Sequence, residues 1–215
     1  MVRLFLGGIR PLPPENQPTG MFKCEHAQPA WLGVEGLAGD AQADRRVHGG
    51  TEKALHQYPV AHYARLAAAF RDAAALLVPG SIGENLSVPG WDEANVCIGD
   101  VFRLGDARIQ VSQPRSPCWK IDRRFHVGGI AGYIGDHGLT GWYYRVLEEG
   151  EVAAGCAFEL LERPAPGMPV ARVLALHRAL RPPLGDLEAL AATPGLAPNW
   201  AKKVADRIDW LGKNT

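Results

Sequence analysis

Turn-forming residues divide the first three quarters of this sequence into segments too short for long helices. The chain has 25 glycines and 17 prolines among its 215 residues, both above the usual share. Between these breaks, apolar residues often alternate with polar ones, which is the pattern of a strand with one buried face. Many short strands with few helices favour a closed antiparallel barrel or a sandwich. We therefore expect a mainly β fold.

The clearest strand signal is a hairpin in the middle of the chain. Residues 96–104 and 107–111 are two apolar runs joined by a glycine-aspartate turn. Residues 60–71 carry apolar side chains at helical spacing and predict a helix. Further strands are predicted at residues 2–9, 21–27, 82–88, 142–147 and 157–161.

The character of the sequence changes at a proline-rich stretch that begins at residue 164, and such stretches commonly mark domain boundaries. Beyond it, residues 170–180 predict one helix, a second follows Asp186, and a third carries an apolar stripe. The stripe consists of Trp200, Val204, Ile208 and Leu211. We expect a barrel domain over residues 1–163 and a small segment of three helices over residues 164–215, with the stripe serving packing or partner docking.

Composition excludes several classes of protein. Lys plus Arg and Asp plus Glu both number 23, so no net charge favours nucleic acid or an anionic membrane surface. No run approaches the ~20 apolar residues of a membrane helix, and Arg10 and Pro11 interrupt the apolar start of the chain before it reaches the length of a signal peptide. The four cysteines are scattered, without a C-x-x-C pair. We expect a reduced, cytoplasmic protein with neither a nucleic acid polymer nor a membrane as partner.

One cysteine stands between cations and prolines directly after a predicted strand. Pro114 cannot donate to a sheet ladder and so ends the strand, and Cys118 follows in a stiff loop. Arg115 and Lys120 flank the thiol, and neighbouring cations stabilise its charged form. Such a thiolate is a candidate nucleophile or metal ligand, and a buried, inert cysteine is the other reading.

A second group of donors surrounds the glycine pair at residues 49–50. Arg46, His48 and Lys53 lie around it, and cations together with exposed backbone amides can bind a phosphate or another oxyanion. The lysine lacks the neighbours of a Walker loop, and a hairpin turn with solvated charges explains the same residues without a ligand. Asn85 is a third candidate, because its amide can bind a ligand or stabilise a turn.

Together these motifs resemble MOSC domains, the family named for the C-terminal domain of molybdenum cofactor sulfurases. The resemblance rests on Arg46-x-His48-Gly49-Gly50-x-x-Lys53, Gly83-Glu84-Asn85-Leu86, Ile98-Gly99-Asp100 and Pro114-Arg115-x-Pro117-Cys118-x-Lys120, which occur in the family's order within residues 25–163. The short chain with a trailing helical segment is similar to the stand-alone bacterial members of the YiiM type, which are associated with detoxifying N-hydroxylated purines.

The resemblance implies a MOSC-type closed β-barrel, a molybdopterin-type molybdenum cofactor, and Cys118 as both catalytic residue and metal ligand. The donors available in the motifs to bind this cofactor are Arg46, His48, Lys53, Asn85 and Arg115. It also implies an oxidoreductase that reduces small-molecule N-hydroxylated substrates such as purine bases. Because the sequence carries no flavin, dinucleotide or iron-sulfur signature, the electrons would come from a separate reductase.

Two other classes of function stay open. In one, the protein is a non-catalytic carrier of the molybdenum cofactor or of sulfur, bound at Cys118. In the other, Cys118 pairs with a histidine such as His48 or His126 as a thiol nucleophile. The sequence also leaves open the natural substrate, the electron donor, the nucleotide form of the cofactor, and whether the chain forms a homodimer.

Overall fold

Thirteen strands and seven α-helices make up residues 1–214 of the chain, which a computed structural model describes. The strands are β1 (Arg3–Leu6), β2 (Arg10–Leu12), β3 (Gln17–Thr19), β4 (Cys24–His26), β5 (Ala30–Gly33), β6 (Gly36–Leu37), β7 (Leu55–Gln57), β8 (Leu86–Ser87), β9 (Val101–Leu104), β10 (Ala107–Pro114), β11 (Trp142–Glu148), β12 (Gly150–Val152) and β13 (Phe158–Glu162). The α-helices are α1 (Arg45–His48), α2 (Ala61–Ala69), α3 (Lys120–Phe125), α4 (Ile130–Asp136), α5 (Val170–Arg178), α6 (Leu184–Ala191) and α7 (Pro198–Lys213), and two 3₁₀-helices span Thr51–Lys53 and Arg71–Leu76. Within residues 1–214, no helix combines the length and the apolar character needed to cross a membrane. The last residue of the predicted C-terminal segment, Thr215, lies outside the described residues.

Eight strands pair into one curled sheet in the order β13-β9-β10-β11-β7-β8-β1-β4. The pair β7–β8 is parallel and the other pairs in this sheet are antiparallel. The predicted sheet-rich fold is confirmed, although the helices are more numerous than expected. The predicted closed barrel is wrong, because the edge strands β13 and β4 do not pair within the described part of the chain and the sheet forms only a half-barrel. Helices α5–α7 pack into the apolar cluster of the sheet. These helices, rather than further strands, therefore bury the apolar face of the sheet.

The predicted central hairpin is confirmed as β9 and β10, with Ala107 opposite Leu104. Buried apolar residues alternate along the first part of β10 with half-buried polar ones, as the sequence pattern indicates. The strand ends at Pro114, which lies opposite Trp142 of β11. The predicted strands at residues 2–9, 21–27, 82–88, 142–147 and 157–161 correspond to β1, β4, β8, β11 and β13, and the predicted helix at 60–71 corresponds to α2.

The three C-terminal helices are present, but they share one apolar cluster with the large sheet. Trp200, Val204 and Leu211 of the predicted stripe are buried in this cluster, and Ile208 packs against it. The stripe therefore serves internal packing. A separate helical segment is not confirmed, and the domain boundary at residue 164 stays a prediction.

A second apolar cluster joins α2 to α3 and α4, two helices that the sequence pattern did not predict. Leu66 of α2 is buried in it together with Phe125 of α3 and Ile134 of α4. Because α3 has 6 residues and α4 has 7, helical periodicity carries little signal and tertiary packing decides their conformation. Since α3 begins at Lys120, this cluster fixes the chain just after Cys118.

Candidate functional site

A cleft opens at the end of β10, where the strand leads into the cysteine loop. Cys118 lies in this cleft with a free, partly buried thiol. Its carbonyl oxygen accepts a hydrogen bond from the Ile121 amide at 2.9 Å, so the cysteine immediately precedes the first turn of α3. The other walls come from the end of the β2–β3 hairpin, from the region of α1, and from the segment before β8. The position of Cys118 just past a strand end agrees with the sequence-based prediction.

Arg115 places a buried guanidinium in the wall of this cleft. The residue is only 5% exposed. Its Nη2 lies 3.4 Å from the carbonyl oxygen of Ile82, which is a long contact, and its Nη1 has no hydrogen-bond partner. None of the ion pairs within residues 1–214 involves Arg115. Because a buried charge without an oppositely charged partner costs free energy, this guanidinium is suited to bind an anion.

Two lysines add positive charge to the same cleft, and His48 lines it as well. Lys53 Nζ donates to the carbonyl oxygen of Val47, and Lys120 Nζ donates to that of Pro18 at 2.7 Å. No Asp or Glu of the described chain lines the cleft, and neither lysine forms an ion pair there. Burial and neighbouring cations lower the pKa of His48. The cleft therefore combines a thiol with several cationic donors.

The turn that carries His48 and Lys53 has the local structure that its residue types favour. Asp44 caps α1 by accepting a hydrogen bond from the Arg46 amide at 3.1 Å. Gly50 has a φ of 86°, which glycine adopts without strain. The Arg46 side chain, however, is 90% exposed and forms an ion pair with Asp44 at 3.0 Å. Arg46 does not line the cleft, so the geometry gives its predicted cofactor contact no support.

Asn85 lines the cleft, but its side-chain amide is already bonded to the protein. Its Nδ2 donates to Asp40 Oδ2 at 2.8 Å and to the Phe5 carbonyl oxygen at 3.3 Å. Its Oδ1 accepts from the His56 amide at 3.3 Å. These bonds connect the segments of β1, β7 and β8, so Asn85 holds the wall of the cleft together.

Beside Asn85 lies a buried ion pair that no sequence motif indicated. Lys23 Nζ is 2.5 Å from each carboxylate oxygen of Asp40, and the two side chains are 5% and 1% exposed. Asp40 also accepts a hydrogen bond from the Gly7 amide at 2.9 Å. Burial lowers the pKa of Lys23, and the charge of Asp40 opposes that shift. Asp40 therefore neutralises Lys23, and the other cations that line the cleft have no carboxylate partner there within residues 1–214.

His56 and Tyr143 complete the lining and stand opposite each other on β7 and β11. Their ring centroids are 5.3 Å apart. Burial, followed by the charge of Arg115, holds the pKa of His56 well below its usual value, so this imidazole is neutral. Burial raises the pKa of Tyr143, and both the charge of Arg115 and a side-chain hydrogen bond with it oppose that shift. The sequence patterns did not predict β7. They predicted the strand that holds Tyr143, but alternation does not show which face of a strand meets a ligand.

The geometry offers little to the thiol-nucleophile hypothesis. Among the hydrogen bonds of residues 1–214, none joins the Cys118 thiol to His48 or His126. His126 lies in a separate groove with Trp119. The described residues contain no group of three or more His, Cys, Asp or Glu that could hold a metal ion. A metal at Cys118 would therefore need most of its ligands from a cofactor.

Comparison with known proteins agrees with these features. The model of the MOSC domain matches residues 44–159. Protein YiiM of Escherichia coli (strain K12) is 38% identical over 209 residues, which cover 96% of this chain and 91% of that protein. A protein of Gibberella moniliformis named Reductase is 38% identical over 162 residues, which cover 75% of this chain and 29% of that protein. The crystal structure of YiiM from Escherichia coli has a TM-score of 0.82 and 32% sequence identity, over 96% of this chain and 90% of that chain.

Proposed function

The chain belongs to the MOSC domain family, and we propose that it uses a molybdenum cofactor to reduce N-hydroxylated small molecules such as N-hydroxylated purine bases. Family membership and the names of the relatives fit an oxidoreductase that binds this cofactor in broad terms. The observation that carries the proposal is the buried Arg115 guanidinium, which shares a cleft with the free thiol of Cys118 and has no carboxylate partner within residues 1–214.

The residues of the cleft fit a molybdopterin-type cofactor. The Cys118 thiolate is a soft donor of the kind that binds metals such as molybdenum. Arg115, Lys53 and Lys120 present cationic donors that suit a phosphate group. Since the neutral His56 adds no charge, these cations set the electrostatic potential of the cleft. When bound, the cofactor supplies the two-electron chemistry, and the protein binds and orients it.

The proposed reaction needs protons and electrons from outside the substrate. An N–OH group, two electrons and two protons give N–H and water: the N–O bond breaks, an N–H bond forms, and the oxygen leaves as water. We assign the electrons to a separate reductase, because the sequence carries no flavin, dinucleotide or iron-sulfur signature.

The decisive experiment uses protein produced in a host that makes the molybdenum cofactor. Bound molybdenum would be measured by elemental analysis, and reduction of N6-hydroxyadenine to adenine would be followed with reduced methyl viologen as the electron donor. We expect stoichiometric molybdenum and formation of adenine. Bound molybdenum without turnover of any N-hydroxylated compound would favour a carrier of the cofactor, and protein that never binds molybdenum would refute both the reductase and the cofactor carrier.

A further inference from the structure

A second groove is formed by two chain segments that also border the cysteine cleft. It is lined by Pro13, Pro14, Trp119, Arg123 and His126, among others. The prolines belong to the loop of the β2–β3 hairpin, and the same hairpin ends at Thr19, which lines the cysteine cleft. On the other wall, Trp119 directly follows Cys118. The groove and the cleft are therefore bordered by neighbouring residues of the same two segments, although no residue lines both.

Two polar contacts hold these walls at a fixed separation. Lys120 Nζ donates to the Pro18 carbonyl oxygen at 2.7 Å. Arg123 Nη2 and Glu15 Oε1 form an ion pair at 2.9 Å. Both contacts tie α3 to the hairpin, so the groove exists before any ligand binds, as is usual for small-molecule sites.

Trp119 gives the groove a flat apolar surface. The residue is 49% exposed. No other aromatic ring of the described chain stacks on it, and Lys120 Nζ lies 5.9 Å from its ring centroid. Because an exposed indole stacks on any flat, unsaturated ring, this surface suits a nucleobase-like ring better than an aliphatic chain.

The polar groups of the groove suit the edge of such a ring. The Asp122 carboxylate is occupied by the amides of Gly129 and Ala131, at 2.9 Å and 2.8 Å. Both of its oxygens therefore already accept hydrogen bonds from the chain. His126, with an exposed ring at the end of α3, and the Arg123 guanidinium offer hydrogen bonds to ring nitrogens or exocyclic groups.

We propose that this groove binds the planar ring of a heteroaromatic substrate, with Trp119 stacked on its face. The ring substituent would then extend past Trp119 into the cysteine cleft. The inference rests on the proposed function, and it assigns the preference for purine-type bases over non-aromatic hydroxylamines to this groove.

The test compares Trp119→Ala, Trp119→Phe and the control Trp31→Ala in the full-length protein with its cofactor. Trp31 is 55% exposed on β5 and lines neither the groove nor the cleft. KM would be measured for N6-hydroxyadenine and for N-methylhydroxylamine, with reduced methyl viologen as donor. We expect Trp119→Ala to raise the ratio of the two KM values about tenfold, the scale of one lost stacking contact. Trp119→Phe should restore most of the ratio and Trp31→Ala should not change it, whereas an unchanged ratio in Trp119→Ala would overturn the proposal.

A binding measurement separates this inference from the proposed function. Adenine, which has no N–OH group, would be titrated into the cofactor-free protein by calorimetry. Adenine binding that is lost in Trp119→Ala and retained in Trp31→Ala supports the groove even if no N-hydroxylated compound is ever reduced. Absent binding, or equal binding by all variants, counts against the groove whatever the enzyme assay gives.

Discussion

Replacement of Arg115 by methionine is expected to stabilise the cofactor-free protein. The guanidinium is 5% exposed, it has no carboxylate partner within residues 1–214, and its Nη1 has no hydrogen-bond partner, although Tyr143 hydrogen-bonds to the side chain. A buried polar group without a partner costs about 1–3 kcal/mol, and more when it is charged. Methionine fills similar space with a flexible apolar side chain. We therefore expect the free energy of unfolding to rise by about 1–3 kcal/mol, with Tm rising by roughly 2–4 °C per kcal/mol for a chain of this size.

Arg145→Met is the matched control, because that guanidinium is fully paired. Arg145 Nε lies 3.0 Å from Glu52 Oε2, Nη1 lies 2.6 Å from Gln110 Oε1, and the side chain is 18% exposed. Removing it leaves the partly buried carboxylate of Glu52 without its cation, which destabilises a protein. The two arginine variants should therefore shift Tm in opposite directions.

The assay is thermal unfolding of cofactor-free protein, followed by circular dichroism with and without inorganic phosphate. An anion that binds only the folded state raises Tm by mass action, so phosphate should stabilise the natural protein more than Arg115→Met. The reasoning is refuted if Arg115→Met lowers Tm as Arg145→Met does and still responds to phosphate like the natural protein.

Three further substitutions test other parts of the cleft. Cys118→Ser should abolish bound molybdenum and turnover while the circular dichroism spectrum stays unchanged, because a hard hydroxyl replaces a soft thiolate; Cys24→Ser, at an exposed free thiol, should retain both. Asp40→Asn leaves Lys23 buried without its partner, so urea unfolding should show a loss of about 3–5 kcal/mol, and an unchanged midpoint would contradict this. Because burial lowers the pKa of Lys23 in the folded state, this variant should regain stability as pH rises toward ~10.4, the pKa of lysine in the unfolded chain. Lys53→Ala should weaken cofactor binding by about 1.5–3 kcal/mol, and molybdenum content equal to that of the natural protein would mean that Lys53 does not bind the cofactor.

Sequence patterns predicted the parts of the structure that are determined by residues close together in the sequence. The hairpin β9–β10 and the C-terminal helices follow from periodicity within each segment. Cys118 was predicted as a site residue because Arg115 and Lys120 lie close to it in the sequence. By contrast, Lys23 and Asp40 meet only in the folded chain, and His56 lies on a strand of three residues that is too short to show alternation. Barrel closure was predicted wrongly because alternation reports that one face of a strand is buried, not whether strands or helices cover it.

The position of the cysteine loop explains why one short motif can carry so much of the site. Strand β10 contributes Val111 to the apolar cluster formed by the large sheet and the C-terminal helices, whereas Ile121 of α3 belongs to the cluster formed with α2 and α4. Residues 115–120 cross from one cluster to the other, and the residues that flank this stretch, Pro114 and Ile121, are buried. A segment fixed at both ends has few conformations, so the Arg115 guanidinium and the Cys118 thiol are held in place before a ligand arrives. Because the crossing is only a few residues long, the groups that it positions are necessarily close in sequence, while their buried supports are far apart.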